Sequence, residues 1–116
     1  MILATTELAP CPDTRAALLE VLRFVQDRVR TRPGCLGCQI FEAVDGAQGL
    51  LYVESWKSAP ELHAHIQSGL YLRLLHAMEL ATEPPRVCFH HIAQTRSMEL
   101  IEDLRTVDKT GASGSA

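Results

Sequence analysis

The chain has 116 residues, a formal net charge of −3 and a hydrophobic fraction of 47%. This length fits one domain with a modest core. The negative charge and the lack of a basic stripe argue against nucleic acid as a partner. No apolar run approaches the roughly 20 residues of a transmembrane helix, and the apolar N-terminal residues follow no basic segment. We therefore expect no membrane partner and a cytoplasmic location.

The pattern of the first half of the chain predicts a strand, a helix and a second strand. Residues 2–7 are apolar and Thr-containing, which favours a first strand. An amphipathic helix follows and ends before Pro33, because proline disfavours helix in the residue that precedes it. Its apolar positions recur at helical spacing: Leu18, Leu22, Val25 and Val29. Residues 35–44 then predict a second strand.

The second strand opens on Cys35-Leu36-Gly37-Cys38, a C-x-x-C spacing. Strand positions three apart point to opposite faces, so we interpret these cysteines as small, partly buried residues. Redox or zinc chemistry is the alternative, although a structural zinc site usually needs a second ligand pair. Cys11 and Cys88 complete the four cysteines.

The second half begins with a hairpin and a third strand. Asp45 and Gly49 bound a turn cluster between two strand-like runs. Residues 50–56 follow and place Tyr52, Glu54 and Trp56 on one face. Ser58 and Glu61 then match a capping box, in which the Ser hydroxyl accepts from a backbone N–H.

Two helical segments separated near Ser68-Gly69 follow the third strand. In the first, His65 shares the apolar face with Leu62 and Ile66, while His63 falls at its edge. The second repeats apolar residues at i, i+3, i+4 and i+7, which turns Arg73 and His76 outward. These apolar residues are Tyr71, Leu74, Leu75 and Met78.

Residues 86–96 predict a fourth strand and residues 98–105 a short amphipathic helix. The domain therefore spans residues 1–105, and residues 106–116 form a flexible C-terminal tail. The order β-α-β-β-α-β predicts an α+β, ferredoxin-like domain with a four-stranded antiparallel sheet. Helices would cover one sheet face; the other also carries apolar residues, so we expect a homodimer that pairs two sheets face to face.

Several motifs together resemble the antibiotic biosynthesis monooxygenase domain family. They are Pro33-Gly-Cys-Leu-Gly-Cys-Gln-Ile-Phe41, Glu54-Ser-Trp56 and His65-Ile-Gln-Ser68. The run from Leu74 to Pro85, with residues 98–101 and Arg105, resembles one bacterial branch close to quinol monooxygenases. The resemblance covers residues 2–105 and implies a dimeric α+β barrel.

The resemblance also implies a substrate pocket between helices and sheet. Some members use no metal or flavin, because the aromatic substrate as its anion passes an electron to O₂. The polyketide-anthrone enzymes bind the phenol with an Asn, a Trp and an Arg, whereas this chain contains no Asn. Haem-degrading members use a helix His, and His76 falls near that position but on the outward face.

We expect His65 to be the catalytic residue, as a neutral imidazole that accepts a phenol or quinol proton. Trp56, Glu54, Tyr71 and Met78 are the expected substrate-binding residues. Each has a structural alternative. His65 could be a buried histidine bonded to a carbonyl or carboxylate, and Glu54 could pair with Arg86, Arg96 or His65. Trp56, Tyr71 and Met78 could be core residues.

We expect no metal and no cofactor. His90 and His91 point to opposite strand faces, and His63 and His65 diverge on their helix, so neither pair chelates one ion. The first hypothesis is a cofactor-independent monooxygenase of a small aromatic or quinol substrate. The second is a non-catalytic dimeric protein, binding a small hydrophobic ligand or related to stress. A haem-degrading member is the third possibility.

Overall fold

A computed structural model describes residues 1–45 and 48–109 of the chain. These ranges contain four strands and four helices. In chain order they are β1 (Ile2–Leu8), α1 (Pro12–Val29), β2 (Cys35–Glu42), β3 (Leu50–Trp56), α2 (Ala59–Ile66), α3 (Gly69–Met78), β4 (Arg86–His91) and α4 (Met98–Lys109). None of the helices in the described ranges is both long enough and apolar enough to cross a membrane.

The four strands form one sheet in the order β2-β3-β1-β4, and all neighbouring pairs are antiparallel. This arrangement confirms the predicted α+β, ferredoxin-like fold. The hairpin prediction is also confirmed, since β2 and β3 pair directly. Residues 46 and 47 of its turn lie outside the described residues.

Alternate residues of the two central strands face the helices and form the core. In β3 these residues follow the predicted period of two, because successive strand side chains point to opposite faces. The helix-facing residues of the central strands are Ile2, Ala4, Thr6, Leu8, Leu50, Tyr52, Glu54 and Trp56, and all are buried. The predicted stripe of α1, Leu18, Leu22, Val25 and Val29, is fully buried against them.

The cysteine pair does not lie as the strand period predicts. A β-bulge between Cys35 and Gly37 shifts the register by one residue. Cys35 then stands opposite Trp56 and Cys38 opposite Glu54, so both cysteines lie on the helix-facing side of the sheet. The prediction of opposite faces was wrong because a bulge adds one residue to the alternation.

The corner between α1 and β2 depends on Gly34. Its φ is +81°, a left-handed conformation that glycine adopts without steric cost. A Cβ at this position would collide with the side chain of Glu61. The Gly34 carbonyl also accepts a hydrogen bond from the Lys57 N–H at 2.8 Å. This corner therefore packs directly against the start of α2.

Two details of the helices differ from their predictions. Ser58 is the residue that precedes α2, but its hydroxyl makes no capping bond to the backbone and donates to the Glu61 carboxylate instead. In α3, Tyr71, Leu74 and Met78 are buried as predicted, but Leu75 is 44% exposed. Ala77 takes its place in the core, because the buried face of α3 turns toward α1.

The C-terminal part departs from the predicted boundaries. β4 ends at His91, and α4 continues through Lys109, into the segment for which the sequence predicts a tail. Residues 110–116 of that predicted tail lie outside the described residues. Among the side chains of α4 that the structure describes, the exposed large apolar ones are Met98, Leu100, Ile101 and Leu104.

Candidate active site

A buried carboxylate lies at the centre of the candidate site. Glu54 is 2% exposed and sits on the helix-facing side of β3. Its Oε2 accepts a hydrogen bond from the Tyr52 hydroxyl at 2.6 Å and lies 3.0 Å from His65 Nε2. Its Oε1 accepts from Trp56 Nε1–H at 2.9 Å. These contacts match those of an ionised carboxylate, which only accepts hydrogen bonds.

The strand period explains why three of these groups meet. Tyr52, Glu54 and Trp56 are separated by two residues each, so they form one row on the same face of β3. Glu54 stands in the middle of this row and can reach both neighbours. His65 comes to the row from α2, which contacts β3. The sequence predicts the row and the inward face of His65, and both predictions are confirmed.

His65 is completely buried, with one ring nitrogen paired and the other unpaired. Nε2 faces Glu54, whereas Nδ1 has no hydrogen-bond partner within the described part of the chain. A buried polar atom without a partner costs free energy, about 1–3 kcal/mol. Such an atom is a candidate contact point for a ligand or a water molecule.

Two aromatic rings enclose the imidazole. Trp56 stacks on His65 with ring centroids 4.8 Å apart. Tyr71, on α3, meets His65 edge to face with centroids 5.3 Å apart. Burial raises the pKa of the Tyr71 hydroxyl, and the nearby Glu54 charge adds to this effect. The environment of His65 therefore combines apolar ring faces with one buried carboxylate.

Tyr52 and Cys38 extend the buried cluster toward β2. Burial raises the pKa of the Cys38 thiol to about 12, and burial together with the Glu54 charge raises that of the Tyr52 hydroxyl. Both groups therefore keep their protons at neutral pH. Cys38 stands opposite Glu54 on the neighbouring strand, and the Glu54 charge adds to the rise in the pKa of its thiol.

Tyr52 was not predicted to be a site residue, although the strand period places it on the same face as Glu54. The signal that could have found it is the i, i+2 spacing of a phenol and an acid on a buried strand face. Of the three partners predicted for Glu54, the structure places His65 beside it. Arg86 pairs with Glu7 at 3.6 Å, and Arg96 pairs with Glu99 and Asp103.

The other residues considered in the sequence lie outside this cluster, either in the core or on the surface. Met78 is buried at the end of α3 and belongs to the core around α1 and α3. His76 is exposed, as its helical position predicts, and His63, predicted at the edge of the apolar face, is exposed as well. His90 and His91 occupy alternate positions of β4 and are both exposed. No group of three or more metal-ligating side chains is found among the described residues.

Two cavities of the described structure lie away from His65. One of about 540 Å³ opens where the ends of β1 and β2 meet the starts of β3 and β4, and Glu7, Phe41 and Arg86 contribute to its lining. The other, of about 290 Å³, lies between Arg32 and Ala64. Neither is lined by Trp56 or His65, and both of these side chains are 0% exposed. The helix–sheet interface at His65 is therefore closed in this conformation.

Several solved structures have the same fold as this chain. A Deinococcus radiodurans protein, provisionally named an antibiotic biosynthesis monooxygenase, superposes with a TM-score of 0.75 at 18% identity, over 84% of this chain and 98% of its own. A Mycobacterium tuberculosis protein gives a TM-score of 0.75 at 28% identity, over 83% and 98%. A Bacteroides thetaiotaomicron protein of unknown function, described as a candidate oxidoreductase, gives 0.72 at 17% identity, over 78% and 96%.

The sequence itself gives the more specific result. No curated protein matches the chain at a significant level. The family model for antibiotic biosynthesis monooxygenase matches residues 1–77, a stretch that runs from β1 almost to the end of α3 and contains Glu54, Trp56 and His65. The chain therefore belongs to the antibiotic biosynthesis monooxygenase family.

Proposed function

We propose that this protein is a cofactor-independent monooxygenase that oxidises a small phenol or quinol, with His65 as the proton acceptor. The observation that carries the proposal is the buried His65 imidazole, paired with Glu54 through Nε2 and unpaired at Nδ1. A carboxylate behind an imidazole orients the ring and stabilises the imidazolium that forms when it takes a proton. Family membership supports the reaction class.

The proposed reaction needs no external reductant. Transfer of the substrate proton to His65 leaves a phenolate, which gives up an electron to O₂ more readily than the phenol does. A quinol and one O₂ then yield a hydroxylated quinone and one water, so the substrate supplies every electron. One oxygen atom enters the product and the other leaves as water. The apolar faces of Trp56 and Tyr71 keep bulk water away from the reacting groups.

Substrate binding requires an opening beside His65, and the junction of α2 and α3 is the segment that we expect to move. Ser68 holds this junction, because its hydroxyl donates to the His65 carbonyl at 2.6 Å and accepts from the Tyr71 N–H at 3.3 Å. A Cβ added at the adjacent Gly69 would meet nothing within 4 Å. Movement here would expose Trp56, Tyr71 and Met78 together as the substrate-binding residues.

Oxygen consumption tests the proposal. A panel of hydroquinones should give O₂ uptake with the wild-type protein, and His65→Ala should lower the rate by about 10²–10⁴-fold, the usual contribution of a general base. His63→Ala is the matched control, since His63 lies exposed on the same helix, and it should retain the wild-type rate. No uptake across the panel, or equal rates for the two variants, would contradict the proposal.

A non-catalytic ligand-binding protein is the second candidate. The complete burial of Trp56 and His65 favours it, because the interface around them is filled. Trp56 is the single Trp of the chain, so its fluorescence reports on this interface alone. Saturable quenching by hydroquinones without O₂ uptake would support this function over the first.

The homodimer through sheet faces is also a proposal. The sheet face away from the helices carries Leu3, Phe41, Leu51 and Val53, and the helices within residues 1–45 and 48–109 leave it uncovered. Phe41 is 47% exposed there. Pairing two such faces would bury these side chains around a shared core. The small aromatic ligand, the cytoplasmic location and the expectation of no cofactor and no metal remain predictions from sequence.

A further inference from the structure

The contacts around Glu54 determine where the protons of the cluster reside. Trp56 Nε1–H can only donate, and it occupies Oε1. Oε2 accepts from the Tyr52 hydroxyl and faces His65 Nε2. A carboxylate has no proton to give, so a hydrogen bond between Oε2 and Nε2 requires the proton to be on Nε2. In a neutral ring the other nitrogen, Nδ1, then carries a lone pair.

We propose that Glu54 is a positioning residue that holds neutral His65 in its Nε2–H tautomer, and that Trp56 and Tyr52 fix the carboxylate for this task. The lone pair of Nδ1 is then the one proton acceptor that the ring offers. The inference rests on the proposed function only for the use of that lone pair. The tautomer is a property of the protein without substrate and can be measured without any activity.

Tyr52 fixes the carboxylate of Glu54 from the same strand. Its hydroxyl donates its single proton to Glu54 Oε2 at 2.6 Å. Tyr52 is 1% exposed, so water does not compete for this bond. The carboxylate is thus held by two groups of its own strand and remains available to His65 from α2.

The proposal predicts which ligands the site takes. An acceptor-only nitrogen between two aromatic rings matches a flat molecule with an O–H donor. A quinol meets this requirement, whereas the corresponding quinone presents carbonyl oxygens and would face the Nδ1 lone pair with a second acceptor. The site should therefore bind the reduced form in preference to the oxidised form.

Glu54→Gln is the informative variant, because Trp56 decides how the new amide is oriented. The indole N–H needs an acceptor, so the amide oxygen takes the Oε1 position and the amide NH₂ takes the Oε2 position. The NH₂ group then donates to His65 Nε2, which has to give up its proton. The imidazole switches to the Nδ1–H tautomer with almost no change in side-chain volume. In Ser-His-Asp proteases the equivalent change preserves geometry but imposes the wrong tautomer.

Nitrogen-15 NMR of the histidine rings tests this directly, at a pH at which His65 is neutral. The wild-type protein should show a proton on Nε2 of His65 and none on Nδ1, and Glu54→Gln should show the reverse. Glu7→Gln is the matched control: it makes the same substitution on an exposed strand residue and should leave the wild-type tautomer unchanged. Oxygen uptake with hydroquinone should fall by about 10²–10⁴-fold in Glu54→Gln and not in Glu7→Gln.

Each result supports or overturns the inference. A wild-type ring with its proton on Nδ1, or one that stays doubly protonated at every pH at which the protein is folded, overturns it. Retention of Nε2–H in a folded Glu54→Gln variant also overturns it. If Glu54→Gln does not fold, the wild-type spectrum still shows which ring nitrogen of His65 carries the proton and therefore tests the inference. Correct tautomers without O₂ uptake in any variant would contradict the proposed oxidation while leaving the positioning role intact.

Discussion

At the scale of single residues, the side chains that matter most are polar groups placed in an apolar environment. The sequence predicts the inward direction of His65 and the common face of Tyr52, Glu54 and Trp56, because helical and strand periods determine them. It does not predict the bulge at Cys35 and Gly37, since a bulge adds a residue without any periodic signal. The isolated Gly37 in a strand pattern was the one available indication.

The buried Cys38 thiol should make the protein less stable in alkaline solution. Its pKa rises from 9.0 to about 12 on folding, so the folded state holds the proton more tightly. The contribution to stability is complete below about pH 9 and is lost as the pH approaches 12. Cys38→Ala should therefore reduce the alkaline decline in unfolding free energy, by at most about 1.4 kcal/mol per pH unit.

Urea unfolding at a series of pH values from about 8 to 11 measures this slope. Cys11→Ala is the control, because a hydrogen bond from Thr14 lowers the pKa of Cys11. Removal of the Cys11 thiol should not reduce the alkaline decline in the free energy of unfolding. Equal slopes for wild type and Cys38→Ala would contradict the assignment of this effect to Cys38.

Gly34→Ala should destabilise the fold. The substitution adds a Cβ at a φ of +81° and directs it into the Glu61 side chain. Left-handed backbone in a non-glycine residue costs on the order of 1–3 kcal/mol, before the contact with Glu61 is counted. Gly37→Ala is the comparison, since its Cβ would meet nothing within 4 Å, and thermal unfolding should show a much smaller loss. Similar melting temperatures for the two variants would refute this account of the α1–β2 corner.

At the scale of secondary structure elements, the junction of α2 and α3 determines how His65 is held. The sequence predicts two helices separated near Ser68-Gly69, and the structure confirms this division. One residue of the predicted buried stripe of α3 was wrong: Leu75 is exposed. Periodicity gives the direction of a buried helix face but not its width. The helix that packs against α3 determines the width of its buried face. That helix is α1, and Ala77 is buried on the side of α3 that contacts it.

Ser68→Ala should cost more stability than Ser58→Ala. Both serines precede a helix, but only Ser68 accepts a bond from the backbone, the Tyr71 N–H. Loss of such a cap typically costs about 1 kcal/mol. Ser68 also donates to the His65 carbonyl, so its removal loosens the junction beside the site. Chemical denaturation of the two variants compares them, and a greater loss in Ser58→Ala would contradict the capping assignment.

At the scale of the whole molecule, the fold follows from the order of elements, while the proposed dimer depends on a sheet face that the described helices leave uncovered. The sequence predicts the four-stranded sheet because its strand and helix periods alternate in the ferredoxin-like order. It does not predict whether the helix–sheet interface encloses a pocket, since packing volume around Trp56 and His65 depends on side-chain detail that periodicity does not contain.

Val53→Glu should break the proposed homodimer. Val53 lies between Thr5 and Gln39 near the centre of the uncovered sheet face, so a carboxylate there would be buried without a partner on pairing. Light scattering should find a dimer for the wild type and a monomer of about 12.8 kDa for the variant. Val44→Glu, at a fully exposed position outside the strands, should remain dimeric. A wild-type monomer at micromolar concentration would overturn the dimer.

In the proposed reaction, one oxygen atom passes from O₂ to a quinol after His65 takes the substrate proton. Turnover of hydroquinone under ¹⁸O₂, with mass analysis of the quinone, measures that transfer. We expect one ¹⁸O atom in the product of the wild-type protein and of His63→Ala, and almost no product from His65→Ala. Unlabelled quinone formed together with hydrogen peroxide, or labelled quinone formed equally by His65→Ala, would contradict it.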